Sequence, residues 1–135
     1  MTTPGLSACV IAKDEADRIG DCLASLAFCD EIVVVDAHSR DETREIAAGQ
    51  GARVIERDWP GHVAQKEFAI RAASHDWVLC VDADERISPE LETEIRSLQE
   101  AGFLDGWRGL LLAAFAAHYV RLKYAKLWLR ARRTG

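Results

Sequence analysis

The sequence predicts an α/β fold: a parallel sheet with helices on both faces, followed by a C-terminal amphipathic helix. Three observations predict it. Short β-branched runs read as near-continuous apolar stretches rather than alternating ones, as expected of strands buried on both sides. Segments with apolar residues at helical spacing separate them. Turn residues punctuate the boundaries.

Leu6 to Ala12, bounded by Gly5 and by Lys13-Asp14-Glu15, reads as the first strand. Ile19, Cys22, Leu23 and Leu26 then recur at i, i+3, i+4 and i+7, one face of a helix. Glu31 to Asp36 (EIVVVD) is a second strand ending in a carboxylate. A helix around Thr43 to Ala48 follows, stopped by Gly49-Gln50-Gly51. Ala52 to Glu56 is a third short strand. Beyond the Trp59-Pro60-Gly61 turn, Val63 to Ala73 reads as a helix and Trp77 to Asp82 (WVLCVD) as a fourth strand. Ser88-Pro89-Glu90 is a helix start, with Ser at the N-cap, Pro at the first helical position and acids in the first turn.

The 135 residues, 49% hydrophobic, suffice for one ordinary core. Their net charge of −5 is unevenly spread. Residues 1–100 hold 10 Lys and Arg against 21 Asp and Glu, and residues 101–135 hold 7 against the single Asp105. A division follows: an α/β domain over 1–100 and a basic, amphipathic helical tail over 101–135. The acidic domain repels nucleic acid and favours a metal ion, whereas the basic tail suits an anionic membrane surface. Four cysteines without a C-x-x-C pair, two of them (Cys9 and Cys80) inside strand-like runs, point to a reducing compartment. Met1 to Ser7 lacks the pattern of a signal peptide, so a cytoplasmic location is expected.

In open parallel sheets ligands bind at the carboxyl ends of the strands. Here those ends carry Lys13-Asp14-Glu15, Asp36 and Asp82-Ala83-Asp84. A D-x-D in this position can hold Mg²⁺ or Mn²⁺ through carboxylate oxygens and leave the remaining positions to phosphate. The same three residues could equally form a solvated acidic turn, and Asp36 could merely cap the next helix. His38, His62, His75 and His118 have no metal-ligand spacing and receive no role. Trp59 and Trp77 read as packing residues.

The runs CVIAKDEADRIGDCLASL, DEIVVVDAHSRDET, GARVIERDWPGHVAQKEFAI and WVLCVDADERISPEL resemble, in order and spacing, the first half of family 2 glycosyltransferases, and among these the bacterial enzymes of lipopolysaccharide core synthesis. The resemblance implies the N-terminal half of a Rossmann-like GT-A fold. It also implies a nucleotide-sugar donor, most simply a UDP-sugar, a lipid-linked or lipopolysaccharide acceptor, and sugar transfer with inversion. On matching positions it implies that Ile11, Ala12 and Glu15 line the base and ribose pocket, that Asp36 accepts a hydrogen bond from the base and that Lys66 approaches the nucleotide. Asp82 lies toward ribose and metal, and Asp84 ligates the metal. The pattern departs at Asp14 and Glu67, where Asn is common, and at His75, where Gly is common.

The tail (FLDGWRGLLLAAFAAHYVRLKYAKLW) resembles the membrane-proximal end of the same enzymes. The central segment that in the family bears acceptor contacts and the general base is missing, because Glu100 runs almost directly into the tail. No residue is singled out as the base: Glu85 and Glu90 belong to a turn and a helix. The expectation is binding of a nucleotide sugar with impaired transfer.

The apolar run Leu110 to Val120 is 11 residues, short of the roughly 20 that span a bilayer. Lys123, Lys126, Arg130 and Arg133 form a basic helical stripe suited to the inner face of the plasma membrane, to the sheet, or to a homodimer through the helix.

Two other classes fit less of the chain: a non-catalytic nucleotide-binding or membrane-recruited module, and a D-x-D phosphohydrolase of the haloacid dehalogenase type. The second expects its motif after the first strand followed by Thr or Val, whereas Glu85 follows here. A nucleotidyltransferase expects a Gly-rich phosphate loop where Lys13-Asp14-Glu15 stands.

Overall fold

A computed structural model describes residues 5–105, 111–114 and 125–129. The elements run β1 (Leu6–Ala12), α1 (Ala16–Ala24), β2 (Glu31–Asp36), α2 (Thr43–Gly49), β3 (Arg53–Glu56), α3 (His62–Ala72), β4 (Trp77–Asp82), α4 (Pro89–Asp105), β5 (Leu111–Ala114) and β6 (Ala125–Leu129). The sheet order is β3-β2-β1-β4-β6-β5. The first four strands are parallel, with β1 paired on both sides: Ala12 lies opposite Asp36, and Ile11 opposite Asp82.

Because side chains alternate across a strand, each strand feeds two cores. Leu6, Ala8, Val10, Val34, Leu79 and Val81 face Ile19, Cys22, Leu23 and Leu26 of the α1 region and Ile87, Leu91 and Ile95 of the α4 region. Cys9, Ile11, Val33, Val35, Val78 and Cys80 face Ala69 and Ala73 of the α3 region. The parallel sheet with helices on both faces is therefore as the apolar runs predict.

Local signals act as expected at several boundaries. Ser88 caps α4 through its Oγ, which accepts from the Leu91 N–H at 3.1 Å. Gly51 adopts a left-handed φ of 84° after α2, where a Cβ would be strained. The cysteines remain thiols, Cys9, Cys22 and Cys80 buried and Cys29 half-buried. Burial pushes the Cys22 and Cys29 thiols up to about 12, consistent with packing rather than reactive roles.

The C-terminal helix of the described chain is α4, which extends to Asp105. The continuing basic helix expected after it is corrected at the tail residues that the structure describes. Ala125–Leu129 forms β6, antiparallel to β4 with Trp77 opposite Leu129 and Cys80 opposite Lys126, and Leu111–Ala114 pairs with β6 as β5. The physical reason is the exposed ladder of β4, whose outer N–H and C=O groups need partners that a strand supplies and a helix does not. Lys123, Arg130 and Arg133 of the basic stripe lie outside the described residues. Among the described residues no helix is long and apolar enough to cross a membrane.

Leu79 is fully buried between β1 and the α1/α4 layer. Leu79→Ala is expected to cost about 2–5 kcal/mol of folding stability, read as a lower urea midpoint with an unchanged denaturant slope.

Candidate active site

The site lies where β1, β2 and β4 end together. Two loops there are stitched to one another. Asp36, completely buried at the end of β2, accepts from the Ser39 N–H at 2.8 Å and the Ser39 hydroxyl at 2.5 Å. The Ser39 hydroxyl oxygen in turn accepts from Asp14 N at 2.8 Å, and Asp14 Oδ1 accepts from Arg40 N at 2.7 Å. Glu15 N donates to Thr43 Oγ1 at 2.9 Å, and Ala16 N to Asp41 Oδ2 at 3.1 Å. The start of α1, which has no side-chain cap of its own at Glu15, is thus capped from the next loop.

At Asp14, where Asn is common, the backbone and the Arg40 contact suit either residue. Its φ is 51°, the left-handed region in which Asn and Asp are the best tolerated residues after Gly. His75, where Gly is common, instead packs over Gly5, leaving no room there for a Cβ.

A cavity of about 310 Å³ opens beside these loops, lined by Ile11, Ala12, Lys13, Glu15, Trp59, His62, Asp82, Ala83 and Asp84. On its β4 side, Asp82, Asp84 and Glu85 bring carboxylate oxygens within 4.8 Å of one another. Lys66 of α3 pairs with Asp82 at 3.2 Å, and Arg18 of α1 pairs with Glu15 at 3.1 Å and reaches Asp84 at 3.9 Å.

Of the residues singled out from the sequence, Ile11, Ala12, Glu15, Asp82 and Asp84 line one cavity, and Lys66 joins it through Asp82. Asp36 does not line it: the carboxylate is turned inward and shapes the β2 loop through Ser39. Arg18, Glu85, Trp59 and His62 had no site role in the sequence. Arg18 and Glu85 carried a signal in their spacing, three residues from Glu15 and Asp82. Trp59 and His62 are also three residues apart, but that spacing gives no sign that both reach the cavity. Trp77 is buried as expected, but Trp59 is 45% exposed and makes an edge-on contact with His62, ring centroids 4.8 Å apart.

Crowded carboxylates repel, and their protonation reflects it. Burial and the Asp82 carboxylate push Glu85 up to about 8. Burial also opposes ionisation of Asp82, but the neighbouring Glu85 carboxyl and the Lys66 ammonium outweigh it and hold Asp82 below its ordinary value. Burial, aided by Asp84 and Asp41 against the opposing Arg18, raises Glu15. Glu85 Oε1 accepts from Asp82 N at 3.3 Å, while its other oxygen is buried with no hydrogen-bond partner. Such an orphaned oxygen is costly. A hard divalent cation among these carboxylates satisfies it, so the donor set fits Mg²⁺ or Mn²⁺.

The proton on Glu85 makes metal-free stability pH-dependent. Between the ordinary value of 4.5 and about 8 the folded chain holds a proton that the unfolded chain has released. The stability that Glu85 contributes is therefore fullest below 4.5 and is lost as pH rises toward 8. Thermal melts in chelator are expected to show this decline, and Glu85→Gln is expected to flatten it.

Comparison with known proteins agrees with this geometry. The profile of glycosyl transferase family 2 matches residues 7–108. An uncharacterized glycosyltransferase of Rickettsia bellii is 44% identical over 96 residues, covering 70% of this chain and 33% of the relative. The lipopolysaccharide core biosynthesis glycosyltransferase LpsC of Rhizobium meliloti is 37% identical over 109 residues, covering 76% and 40%. Among solved structures, mannosyl-3-phosphoglycerate synthase from Rubrobacter xylanophilus superposes with a TM-score of 0.58 at 29% identity, over 64% of this chain and 33% of that one. The UDP complex of glucosyl-3-phosphoglycerate synthase from Mycobacterium tuberculosis gives 0.55 at 26%, over 61% and 34%. The chain spans about one-third of the length of the Rickettsia relatives it matches. On the family profile and these identities, and with strand-end carboxylates gathered at one cavity, the chain belongs to glycosyl transferase family 2.

Proposed function

We propose that this chain binds a nucleoside diphosphate sugar, most simply a UDP-sugar, through Mg²⁺ or Mn²⁺, and supplies the donor half of an inverting sugar transfer. The observation that carries the reading is the Asp82, Asp84 and Glu85 cluster with its orphaned oxygen beside a cavity of about 310 Å³. The UDP bound to the mycobacterial synthase, a structural relative, supports the choice of donor class.

Asp82 and Asp84 hold the cation, with Glu85 beside them to accept its charge. The cation supplies neutralisation of the departing diphosphate. Ile11, Ala12 and Glu15 form the nucleoside wall, and Lys66, already 3.2 Å from Asp82, turns its ammonium to the phosphates. Asp36 keeps the β2 loop in register for base recognition. Family membership and the relative LpsC support an acceptor of the lipopolysaccharide or cell-envelope glycan class. The proposal places the encounter on the cytoplasmic face of the membrane.

The chain leaves the acceptor side unassigned. Among the described residues none at the cavity is placed as a general base, since its carboxylates belong to the cation cluster. Transfer is therefore proposed to be weak: loss of a positioned base alone costs about 10²–10⁴ in rate. A version carrying a segment between α4 and β5 is expected to outpace this chain by at least that factor in sugar-transfer assays, and equal turnover would overturn the claim of impairment.

Calorimetric titration tests the binding claim. UDP is expected to bind with Mn²⁺ present, to weaken at least tenfold when the metal is chelated, and to weaken similarly in Asp84→Ala. Binding indifferent to both metal and Asp84 would place the nucleotide elsewhere. Binding of UDP with no sugar released to any acceptor would favour the second reading, a non-catalytic nucleotide-binding module.

A further inference from the structure

We infer that Trp59 is the stacking surface for the nucleobase of the donor, held ready by a braced loop. The inference rests on the nucleotide-binding reading above and assigns a residue to it that the sequence pattern placed in packing.

The first observation is exposure in the right place. Trp59 is 45% exposed, which is unusual for an indole that could have been packed, and the exposed side chain lines the same cavity as Ile11, Ala12, Glu15 and the β4 carboxylates. An indole left open on a cavity wall presents a large flat apolar face to whatever enters that cavity.

The second observation is that the loop carrying it is built rather than loose. Arg57 N donates to the Asp36 carbonyl at 2.9 Å, anchoring the start of the loop to the end of β2. Gln65, fully buried on α3, reaches back to Arg57: its Oε1 accepts from the Arg57 guanidinium at 3.0 Å and its side-chain amide lies 3.5 Å from the Arg57 carbonyl. The same guanidinium lies over the Phe68 ring, 4.4 Å from its centroid. Gly61 turns the chain with a φ of 115°, closed to side chains with a Cβ. His62 then meets Trp59 edge-on and fixes the indole plane. A burial cost is thus spent on a polar Gln65 to hold a loop whose tip is an exposed aromatic.

The third observation decides which part of the ligand Trp59 meets. The sheet order is β3-β2-β1-β4, so the metal-binding carboxylates at the end of β4 lie at one side and the loop leaving β3 comes from the other. A diphosphate on the β4 carboxylates whose nucleoside runs over Ile11 and Ala12 of β1 points its base toward β2 and β3. The sugar leaves from the opposite end of the diphosphate. Trp59 therefore meets the base and not the sugar.

Stacking on an aromatic face tolerates any base, because each has a π-face. The consequence for specificity is that Trp59 contributes affinity without choosing between uracil and guanine.

The test uses the whole chain with Mn²⁺ and three probes: UDP, GDP and inorganic pyrophosphate. Trp59→Ala is expected to weaken both UDP and GDP by about tenfold or more and to leave pyrophosphate unchanged. Trp59→Phe, which keeps a planar ring, is expected to restore most of the loss. Indole fluorescence should quench on adding UDP to the native chain and lose that component in Trp59→Phe. Unchanged UDP affinity in Trp59→Ala, or a loss shared by pyrophosphate, overturns the inference while leaving the nucleotide-binding reading intact. A native chain that binds pyrophosphate but neither nucleotide, or none of the three, overturns both.

Discussion

The two-sided parallel pairing of β1 is the constraint from which the rest of the molecule follows. Hydrogen-bonded to β2 on one side and β4 on the other, β1 has no face or edge left for water, and every one of its residues is buried. Its neighbours must point the same way, so the three strand ends that carry Glu15, Asp36 and Asp82 arrive at one edge. Helices must cross back over both faces to connect them. The first turn of α1 and the start of α3 are thereby brought to the same rim as the carboxylates.

That rim concentrates negative charge, and the molecule disperses it in three ways. Lys66 from α3 and Arg18 from α1 approach from opposite layers and pair with Asp82 and with Glu15 and Asp84. Asp36 is removed from the surface altogether and neutralised by two donors from Ser39. Glu85 keeps its proton, since burial next to ionised Asp82 makes a second charge too costly. The last of these is the least stable solution, because it leaves one carboxyl oxygen without a partner. A divalent cation resolves it by replacing the proton with charge of the right sign and satisfying the oxygen at the same time.

Rigidity at the rim comes from loops binding loops. The segments after β1 and β2 exchange hydrogen bonds through Asp14, Ser39, Asp41 and Thr43, and the segment after β3 is tied to β2 by Arg57 and to α3 by Gln65. A cavity bounded by such loops presents Trp59 and the β4 carboxylates in fixed relation, which would limit the ordering cost of the diphosphate binding proposed above.

The four parallel strands and the helices between them were legible in the chain because each has a local cause. Apolar β-branched runs such as EIVVVD and WVLCVD, helical spacing in Ile19 to Leu26, and the Ser88-Pro89 start all act within a few residues of themselves. The D-x-D at the end of β4 was legible for the same reason, since its position follows from the strand. Tertiary structure alone decided the rest. A basic, apolar stretch such as AKLWL satisfies helix and strand patterns alike, and only the open edge of β4 selects the strand. Asp36 reads as a site residue, and the fold adds that Ser39 donates to its buried carboxylate. Arg18, Glu85, Trp59 and His62 have no site role in the sequence until parallel pairing brings Trp59 and His62 to the cavity and Arg18 and Glu85 beside its carboxylates. Local propensity acts over neighbours in sequence, whereas a binding site is a set of neighbours in space, and for this chain the sheet order converts one into the other.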